Sequence, residues 1–528
     1  MTVVGYRTNQ PPQSWDVAND PFTTDYWTTP YAEYLLAGDI EGKGPRGTNE
    51  FPFQVQESIP VPYLTGELAA SWEQPDPLTL IFHIRQGVMW TGNATIGMAA
   101  REFTATDAAF EMNRYWKGPY GGANVAYFDS ATATDKYTFV VKMKTFSPDW
   151  SYRIGYAYKC SMYPPETVTA GAGNWKNQCG TGPFILSDYV EGSGVTYKKN
   201  LNYWGKTTIN GKQYQTPFVD TLIYPIITDP STQISAIRTG KIDIAWGVPM
   251  TNKTTLASSS PDLKTFSFLK NSIKCVGFLT TNPKFSNVAV RRAMMIGTDL
   301  KKIANAVYPG GAEINDFPLS PGLGDVYTPI DKMPASTQAL FNYDPVTAKK
   351  MLADAGYPNG FSCELVIQAD PEYNDIAALL VDQWAKIGVT VTIKSLPVAS
   401  WSGIMANHNY TDVFMSATGN GSITTHLPIK VTQGVPNTAN WNDPHAVELL
   451  NKALATSDIT AQTALFKELN LYILDQCAWI GFASPYQLST YWPWVKNYYG
   501  EVEGGDYNYI PIIRLMWLDT AQKKAMGH

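Results

Sequence analysis

The segment at residues 68–116 constrains the fold of this chain most, because several local signals follow one another there in a fixed order. After a Pro-Asp-Pro turn at 75–77, apolar and polar residues alternate over 78–85, which is the period of a half-buried strand. A helix is then predicted to start within 103–107, because Thr104 and Asp107 have the spacing of a capping box. The segment is therefore interpreted as a turn, a strand and a capped helix.

Five further segments carry distinctive short motifs. They are GTGPF at 180–184, with a Gly-Ser-Gly hairpin after it, NLNYWG at 200–205, GKIDI at 240–244, VRRA at 290–293 and YDPVTAKKMLADAGYP at 343–358. Together with 68–116, and in this order, they resemble the signature of the family 5 extracellular solute-binding proteins, the peptide- and nickel-binding components of ABC importers. One GTGPF is weak evidence, whereas six ordered segments are strong.

The resemblance implies an α/β, two-lobed periplasmic-binding-protein-like fold of type II, similar to cluster C, with an extra subdomain in the first lobe. The first lobe is expected at 1–272, with the subdomain at about 50–178, and the second α/β lobe at 273–484. The chain is expected to return to the first lobe over 485–528. Such a protein closes two lobes on a ligand and presents the closed form to membrane subunits, without catalysis and without a cofactor.

The second lobe can also be predicted from its residues. A strand, helix, strand unit is expected over 363–393, since Ile376, Leu380 and Trp384 recur on one helical face. Gly388 follows the helix, where a C-terminal glycine is favoured. The two strands are therefore expected to be parallel, joined by a right-handed crossover.

Composition agrees with a soluble receptor. The 528 residues are 44% apolar, with no apolar run near the roughly 20 residues of a membrane helix, so a large core in two or three domains is expected. The formal charge is −6, and no Lys/Arg cluster offers a phosphate-binding stripe. Nucleic acid is therefore not an expected partner, and the protein is expected to be a monomer.

The first residues, MTVVG, lack the charged start and apolar stretch of an export signal, so the sequence is expected to begin after a cleaved one. The resemblance implies an extracytoplasmic location, in the periplasm or at the cell surface, with a lipid anchor left open. The five cysteines show no metal-binding spacing. Cys160 and Cys179 form a candidate disulfide, with buried free thiols as the alternative.

Motifs of catalysis are absent from the sequence. It contains no HExxH, no GxSxG and no GxxxxGK[ST] motif, and its five histidines lack ligand spacing. Glu501 and Glu503 lie in a polar, Gly-rich stretch, which favours a solvated loop over a glycosidase pair. An enzyme is therefore not predicted. A metal-complex receptor is a minor alternative that would depend on His408, His426 and His445.

The ligand class is harder to predict. In peptide-binding relatives a strand that starts at Tyr/Phe-Asp leads to Gly-Trp-x-x-Asp, whose Asp pairs with the peptide ammonium. Asp412 matches the start of that strand, and Thr418 and Gly421 then stand in place of the Trp and Asp. Because a buried ammonium needs a paired carboxylate, this departure argues against a peptide. A one-residue shift of this alignment near Gly419 or Gly421 would change the match, so a peptide ligand stays open as the alternative.

Aromatic content favours a sugar. The chain has 16 Trp and 31 Tyr, whose rings can stack on pyranose faces while amides and hydroxyls pair with ligand hydroxyls. An oligosaccharide is thus the leading prediction. A peptide receptor that relies on backbone hydrogen bonds is the alternative. Opposed exposed rings would favour the sugar, and a carboxylate or a free strand edge would favour the peptide.

Candidate ligand-binding residues lie where the family places its cleft. No metal-ligating or catalytic residue is predicted. Asn282 is expected to satisfy backbone groups or act at a hinge, with ligand contact as the alternative. Five other tryptophans are expected in the core, namely Trp72, Trp90, Trp116, Trp204 and Trp384. The ligand-binding candidates are Tyr26, Trp27, Trp246, Trp401, Met415, Ser416, Thr418, Asn420, Asn440 and Trp441.

Overall fold

The chain folds into two compact units. A computed structural model describes residues 1–8, 11–19, 24–54, 58–119, 121–270, 272–315, 317–418, 422–432 and 437–528. Unit 1 comprises Met1–Phe268 and Gln487–His528, and unit 2 comprises Leu269–Tyr486. The sequence placed these two crossings after residues 272 and 484, and the separate subdomain at about 50–178 stays a prediction.

The first part of the chain is rich in strands. Its helices are α1 (Asp25–Thr28), α2 (Ala105–Lys117), α3 (Pro165–Gly171), α4 (Pro230–Arg238) and α5 (Lys253–Ser259). Its strands are β1 (Thr2–Tyr6), β2 (Leu36–Gly38), β3 (Leu64–Gly66), β4 (Ala69–Asp76), β5 (Thr79–Ile84), β6 (Met89–Trp90), β7 (Arg101–Glu102), β8 (Phe128–Ala133), β9 (Thr138–Met143), β10 (Phe184–Val190), β11 (Gly194–Lys199), β12 (Lys206–Ile209), β13 (Lys212–Gln215), β14 (Thr221–Pro225), β15 (Ile244–Pro249) and β16 (Lys264–Leu269).

Unit 2 carries most of the helices. They are α6 (Pro283–Ser286), α7 (Val288–Ile296), α8 (Leu300–Val307), α9 (Ala335–Gln338), α10 (Pro345–Asp354), α11 (Pro371–Ala385), α12 (Val398–Ala406), α13 (Ile423–His426), α14 (Pro428–Val431), α15 (Pro444–Ala455) and α16 (Ile459–Gln476). Its strands are β17 (Ile273–Phe278), β18 (Ala312–Glu313), β19 (Phe361–Gln368), β20 (Val389–Leu396), β21 (Val413–Thr418) and β22 (Trp479–Gly481). The rest of the chain forms β23 (Ser484–Tyr491), β24 (Val495–Lys496), α17 (Ile510–Ile513), β25 (Trp517–Leu518) and α18 (Thr520–Ala525).

The main sheet of unit 1 has β1 near its centre. The strand order is β10-β11-β14-β1-β15-β23-β16. β1 is parallel to both of its neighbours, β14 and β15. A second, antiparallel sheet has the order β4-β5-β9-β8. The capping box predicted at the start of α2 is confirmed, since the Thr104 amide donates to Asp107 Oδ2 over 2.9 Å.

The sheet of unit 2 has the order β20-β19-β21-β17-β22. β19 is parallel to β20 and to β21, so the predicted strand, helix, strand unit is confirmed as β19, α11 and β20. Gly388, which follows α11, has φ +89°, a conformation that glycine adopts at low cost. The cores of the two units contain Trp90, Trp116 and Trp384 as predicted, whereas Trp72 and Trp204 are half-buried.

The cysteine prediction needs a correction. All five cysteines are buried free thiols, so the disulfide predicted between Cys160 and Cys179 is not present. The thiols of Cys160 and Cys179 each have a separate partner in unit 1. Cys160 Sγ donates to the Arg153 carbonyl over 2.9 Å, and Cys179 Sγ lies 3.5 Å from Thr91 Oγ1. Burial raises the pKa of both thiols and keeps them protonated.

Two carboxyl groups share a buried region of unit 1. Glu33 is fully buried and accepts hydrogen bonds from the Tyr203 hydroxyl and the Trp204 indole, at 3.1 and 3.0 Å. Glu67 accepts from Asn508 Nδ2 over 3.0 Å, while its Oε1 has no hydrogen-bond partner in the described part of the chain. Burial, and then the charge of Glu33, raise the pKa of Glu67 well above its ordinary value.

Replacing Glu67 by glutamine is expected to flatten the dependence of stability on pH. Because the folded-state pKa of Glu67 is raised, its favourable contribution is present below about pH 4.3, the unfolded value, and is lost as pH rises through the folded value. Glutamine carries no proton to lose. The difference in unfolding free energy between Glu67→Gln and wild type should therefore grow from pH 4 to pH 8 in urea titrations. Glu448→Gln, on an exposed face of α15, is the control. A difference in unfolding free energy that stays constant with pH would contradict the raised pKa of Glu67.

Candidate functional site

Unit 1 places a buried arginine at the carboxyl end of its central parallel strand. β1 ends at Tyr6, and Arg7 follows it with only 7% of its surface exposed. In open α/β sheets, ligands bind beyond the carboxyl ends of the parallel strands. Arg7 therefore lies at the edge of the sheet where a binding site is expected.

Aromatic rings surround the Arg7 guanidinium. Its Cζ lies over the Tyr509 ring, 4.7 Å from the centre of the Trp246 ring and 5.9 Å from that of Tyr26. Trp246 comes from the neighbouring strand β15, and its indole donates to the Glu501 carbonyl over 3.4 Å. Such rings stabilise a cation through their quadrupole, and they leave its N–H donors unused.

The hydrogen-bonding capacity of Arg7 is largely unfilled. Its Nε and Nη1 are buried and have no hydrogen-bond partner among the described residues, and no described carboxylate forms an ion pair with it. Burial lowers the pKa of Arg7 to about 10, against the opposing effect of nearby Glu503, so the guanidinium is charged at neutral pH. A desolvated cation with free donors is suited to a carboxylate, which charge-assisted hydrogen bonds bind strongly.

The loop that follows β24 corrects another expectation. Glu501 and Glu503, predicted in a solvated loop, are both buried in unit 1. Glu501 forms an ion pair with Arg46 and accepts from the Tyr499 amide over 2.8 Å. Glu503 Oε2 accepts from the Tyr509 hydroxyl over 3.3 Å. The polar sequence misled because Arg46, which pairs with Glu501, comes from a distant segment of the chain.

Three predicted residues lie in the core around the unit 2 sheet. Trp401 is 9% exposed, stacks on Phe414 at 5.4 Å and donates its indole N–H to the Met415 carbonyl over 3.1 Å. Met415 is fully buried. Ser416 Oγ lies 3.4 Å from the thiol of Cys275. All three side chains are thus packed against other residues of unit 2. Their contact with a ligand stays a prediction.

The remaining predicted residues of unit 2 are placed as follows. Trp441 is 5% exposed and meets the Trp479 ring edge-on at 6.0 Å. Asn440 is half-buried, with φ 46°, and its carbonyl accepts from Thr280 Oγ1 over 3.2 Å. Thr418 is 3% exposed at the carboxyl end of β21. Asn420, like Gly421, lies outside the described residues, so the question of the missing acidic anchor stays a prediction.

In unit 1 the predicted residues divide. Tyr26 and Trp246 come together around Arg7, whereas Trp27 is fully buried and packs against Tyr224 at 6.4 Å. Arg7 itself was missed. The available signal was a charged residue directly after an apolar strand, but its burial cannot be read from the sequence.

The metal-receptor alternative receives no support from the histidines. His408 Nε2 lies 2.9 Å from the Asn437 carbonyl, and His445 Nδ1 lies 3.9 Å from Glu448. Within the described ranges, no group of three or more His, Cys, Asp or Glu residues is placed to hold a metal ion. Asn282 satisfies backbone groups, as predicted, since its Nδ2 donates to the Thr411 carbonyl over 2.7 Å.

Comparisons with known proteins identify the family and the fold. The profile of the bacterial extracellular solute-binding proteins, family 5 Middle, matches residues 64–434. The heme-binding protein A of Haemophilus influenzae is 27% identical over 475 residues, 84% of this chain and 83% of that protein. The dipeptide-binding protein of Escherichia coli K12 is 24% identical, over 81% of each chain. The periplasmic binding protein DppA from Helicobacter pylori, solved with the peptide STSA, has a TM-score of 0.76 at 21% identity, over 98% of each chain.

The family and the fold follow from these matches. The structural likeness covers nearly all of the chain, which confirms the expected periplasmic-binding-protein fold of type II. Members of the family are non-enzymatic, extracytoplasmic binding components of ABC transporters. In the part of the chain that the structure describes, no helix has the length and apolar character needed to span a bilayer. This protein is the substrate-binding component of an ABC importer and belongs to the bacterial extracellular solute-binding proteins, family 5.

Proposed function

We propose that this protein captures short peptides with a free carboxylate and delivers them to the membrane subunits of its importer. The observation that carries the proposal is the state of Arg7, a buried guanidinium whose Nε and Nη1 have no partner among the described residues. Leaving a buried charge without a partner costs several kcal/mol by rough estimate. A ligand carboxylate offsets that cost on binding, which gives the peptide its affinity.

The ligands named for similar proteins support the same chemistry. One relative is named for dipeptides and one for heme, and one similar structure holds the peptide STSA. Peptides and heme all carry carboxylates. A carboxylate-bearing ligand is thus the shared property, and a peptide is the most frequent case.

The burial of the candidate tryptophans weighs against an oligosaccharide ligand. The four tryptophans among the candidate ligand-binding residues are packed in protein cores, namely Trp27, Trp246, Trp401 and Trp441. Stacking on a pyranose requires an accessible ring face. The peptide alternative is therefore the better proposal, and the sugar becomes an outcome of the test.

Arg7→Gln is expected to weaken peptide binding by about 10-fold to 100-fold, because a hydrogen bond to a charged group contributes about 1.5–3 kcal/mol. The measurement is a thermal-shift screen with di- to pentapeptides, their C-terminal amides and gluco-, manno- and xylo-oligosaccharides, followed by calorimetry. A peptide at about 100 times its Kd should stabilise wild type by roughly 2.7 kcal/mol. Arg238→Gln, the same change at an exposed position on α4, is the matched control.

The screen separates the ligand classes. Free-acid peptides should shift the melting temperature of wild type, and their amides should shift it much less. Stabilisation by one sugar series alone would refute the peptide proposal. Equal binding of acids and amides, or an unchanged affinity in Arg7→Gln, would refute the role of Arg7.

A further inference from the structure

Unit 2 contains a buried lysine without an anionic partner. Lys430, in α14, is 1% exposed, and its Nζ lies 4.9 Å from the centre of the Phe317 ring and 5.3 Å from that of Trp479. Its contacts in the described ranges are with these two rings, and it forms neither an ion pair nor a hydrogen bond there. Burial lowers the pKa of Lys430, and the thiol of Cys275 partly opposes that effect.

Lys430 covers one face of the unit 2 sheet. In the antiparallel pair of β17 and β21, Cys275 is opposite Ser416 and Ile273 is opposite Thr418. Side chains two apart on a strand, and directly opposite on its partner, point to the same face. Ile273 and Cys275 pack in one cluster with Phe317 and Trp479, the rings that hold the Lys430 ammonium. The ammonium and Thr418 are therefore on the same face.

Thr418 contributes a second unused polar group. Its Oγ1 is buried and has no hydrogen-bond partner in the described part of the chain. Thr418 is also the last residue of β21, which is parallel to β19. It thus stands at the carboxyl edge of parallel strands, where α/β sheets bind ligands.

We propose that Lys430 and Thr418 form an anion-binding subsite within unit 2 that takes a carboxylate group of the ligand. A carboxylate has two oxygens that can accept from an ammonium and from a hydroxyl, and these two groups lie on the same face of the sheet. The rings of Phe317 and Trp479 stabilise the ammonium through their quadrupoles. In that apolar setting the attraction between ammonium and carboxylate is stronger than at a surface.

The subsite rests on the proposed function in one respect, because both assume a ligand with a carboxylate. It does not depend on Arg7. A purely structural lysine would behave differently from a binding one, since replacing a buried unpaired charge by an apolar side chain of similar length is often neutral or stabilising. Lys430→Met is therefore expected to keep the melting temperature or raise it, and to lose only the response to anions.

The test uses the full chain with acetate as the probe. The melting temperature is measured in sodium acetate and in sodium chloride at equal ionic strength, for wild type, Lys430→Met and the near-isosteric Thr418→Val. Acetate should raise the melting temperature of wild type and should have no such effect in Lys430→Met, with a reduced effect in Thr418→Val. Lys302→Met, at an exposed lysine of unit 2, is the control and should respond like wild type.

Two results would overturn the subsite. They are an acetate response that persists in both Lys430→Met and Thr418→Val, and a wild-type protein without any acetate response. Peptide calorimetry on the same variants keeps this failure apart from that of the proposed function. Loss of peptide binding in Arg7→Gln with full binding in Lys430→Met would leave the peptide receptor standing without the subsite. An acetate response that needs Lys430, in a protein that binds no peptide, would leave the subsite standing with another carboxylate as its ligand.

Discussion

Replacing Trp384 by alanine is expected to lower the free energy of unfolding by roughly 3–5 kcal/mol, the range for a large aromatic ring removed from a core. Trp384 is fully buried in unit 2, on the face of α11 that meets the sheet. Its ring lies 6.0 Å from that of Phe278, and its indole N–H donates to Thr298 Oγ1 over 2.9 Å. Alanine leaves a cavity and removes the hydrogen bond to Thr298 Oγ1, whose hydroxyl keeps its own hydrogen bond to the Met294 carbonyl. Urea unfolding followed by circular dichroism measures the loss.

One further variant separates the packing of Trp384 from its hydrogen bond, and a second serves as a control at an exposed ring. Trp384→Phe keeps most of the ring volume and should cost clearly less stability than the alanine change. The phenyl ring leaves a smaller cavity than alanine does, although the N–H donor is lost in both variants. Trp517→Ala, at a ring that is 38% exposed, should cost about 1 kcal/mol or less. A loss below about 1 kcal/mol for Trp384→Ala would contradict the core assignment.

Asp243→Ala is expected to destabilise unit 1 by about 3–5 kcal/mol, because it removes a fully buried carboxylate that accepts three hydrogen bonds, one of them from the half-buried Lys523. The Asp243 carboxylate is fully buried and accepts from the Val4 amide, the Trp494 indole and Lys523 Nζ at 2.8, 2.7 and 2.6 Å. These donors belong to β1 and to the returning C-terminal segment. One side chain therefore ties the first strand of the chain to its last residues.

The comparison variant is Glu50→Ala, whose exposed ion pair with Lys43 has a distance of 3.0 Å. Exposed pairs contribute about 0–1 kcal/mol, so this change should be nearly silent. Lys523→Met combined with Asp243→Ala should recover part of the loss, since the half-buried Lys523 ammonium is then not left without its partner. A double variant as unstable as the sum of the single ones would show that the pair is not coupled.

These two changes contrast with those at Arg7 and Lys430. Trp384 and Asp243 have filled their packing and hydrogen-bonding capacity within the protein, so their removal costs stability. Arg7 and Lys430 are buried cations that form no ion pair in the described ranges, so their removal should affect binding rather than folding. Stability and affinity measured on the same four variants therefore test the division between structural and ligand-binding groups.

The elements that could be predicted from the sequence depend on neighbours in the chain. The capping box needs only Thr104 and Asp107, three residues apart. The unit of β19, α11 and β20 could be predicted because the helical face, the glycine stop and the short connections are all local. Trp384 could be assigned to the core for the same reason.

The binding groups could not be predicted in this way, because the burial of a polar residue depends on partners far away in the sequence. Arg7 is desolvated by the rings of Trp246 and Tyr509, and the polar stretch with Glu501 is buried by Arg46. Conversely, the same tryptophan side chain can stack on a sugar or fill a core, and only packing assigns Trp401 and Trp441 to the core. Local pattern thus decides which elements form, whereas tertiary contacts decide which charges are buried without a partner and remain free to bind a ligand.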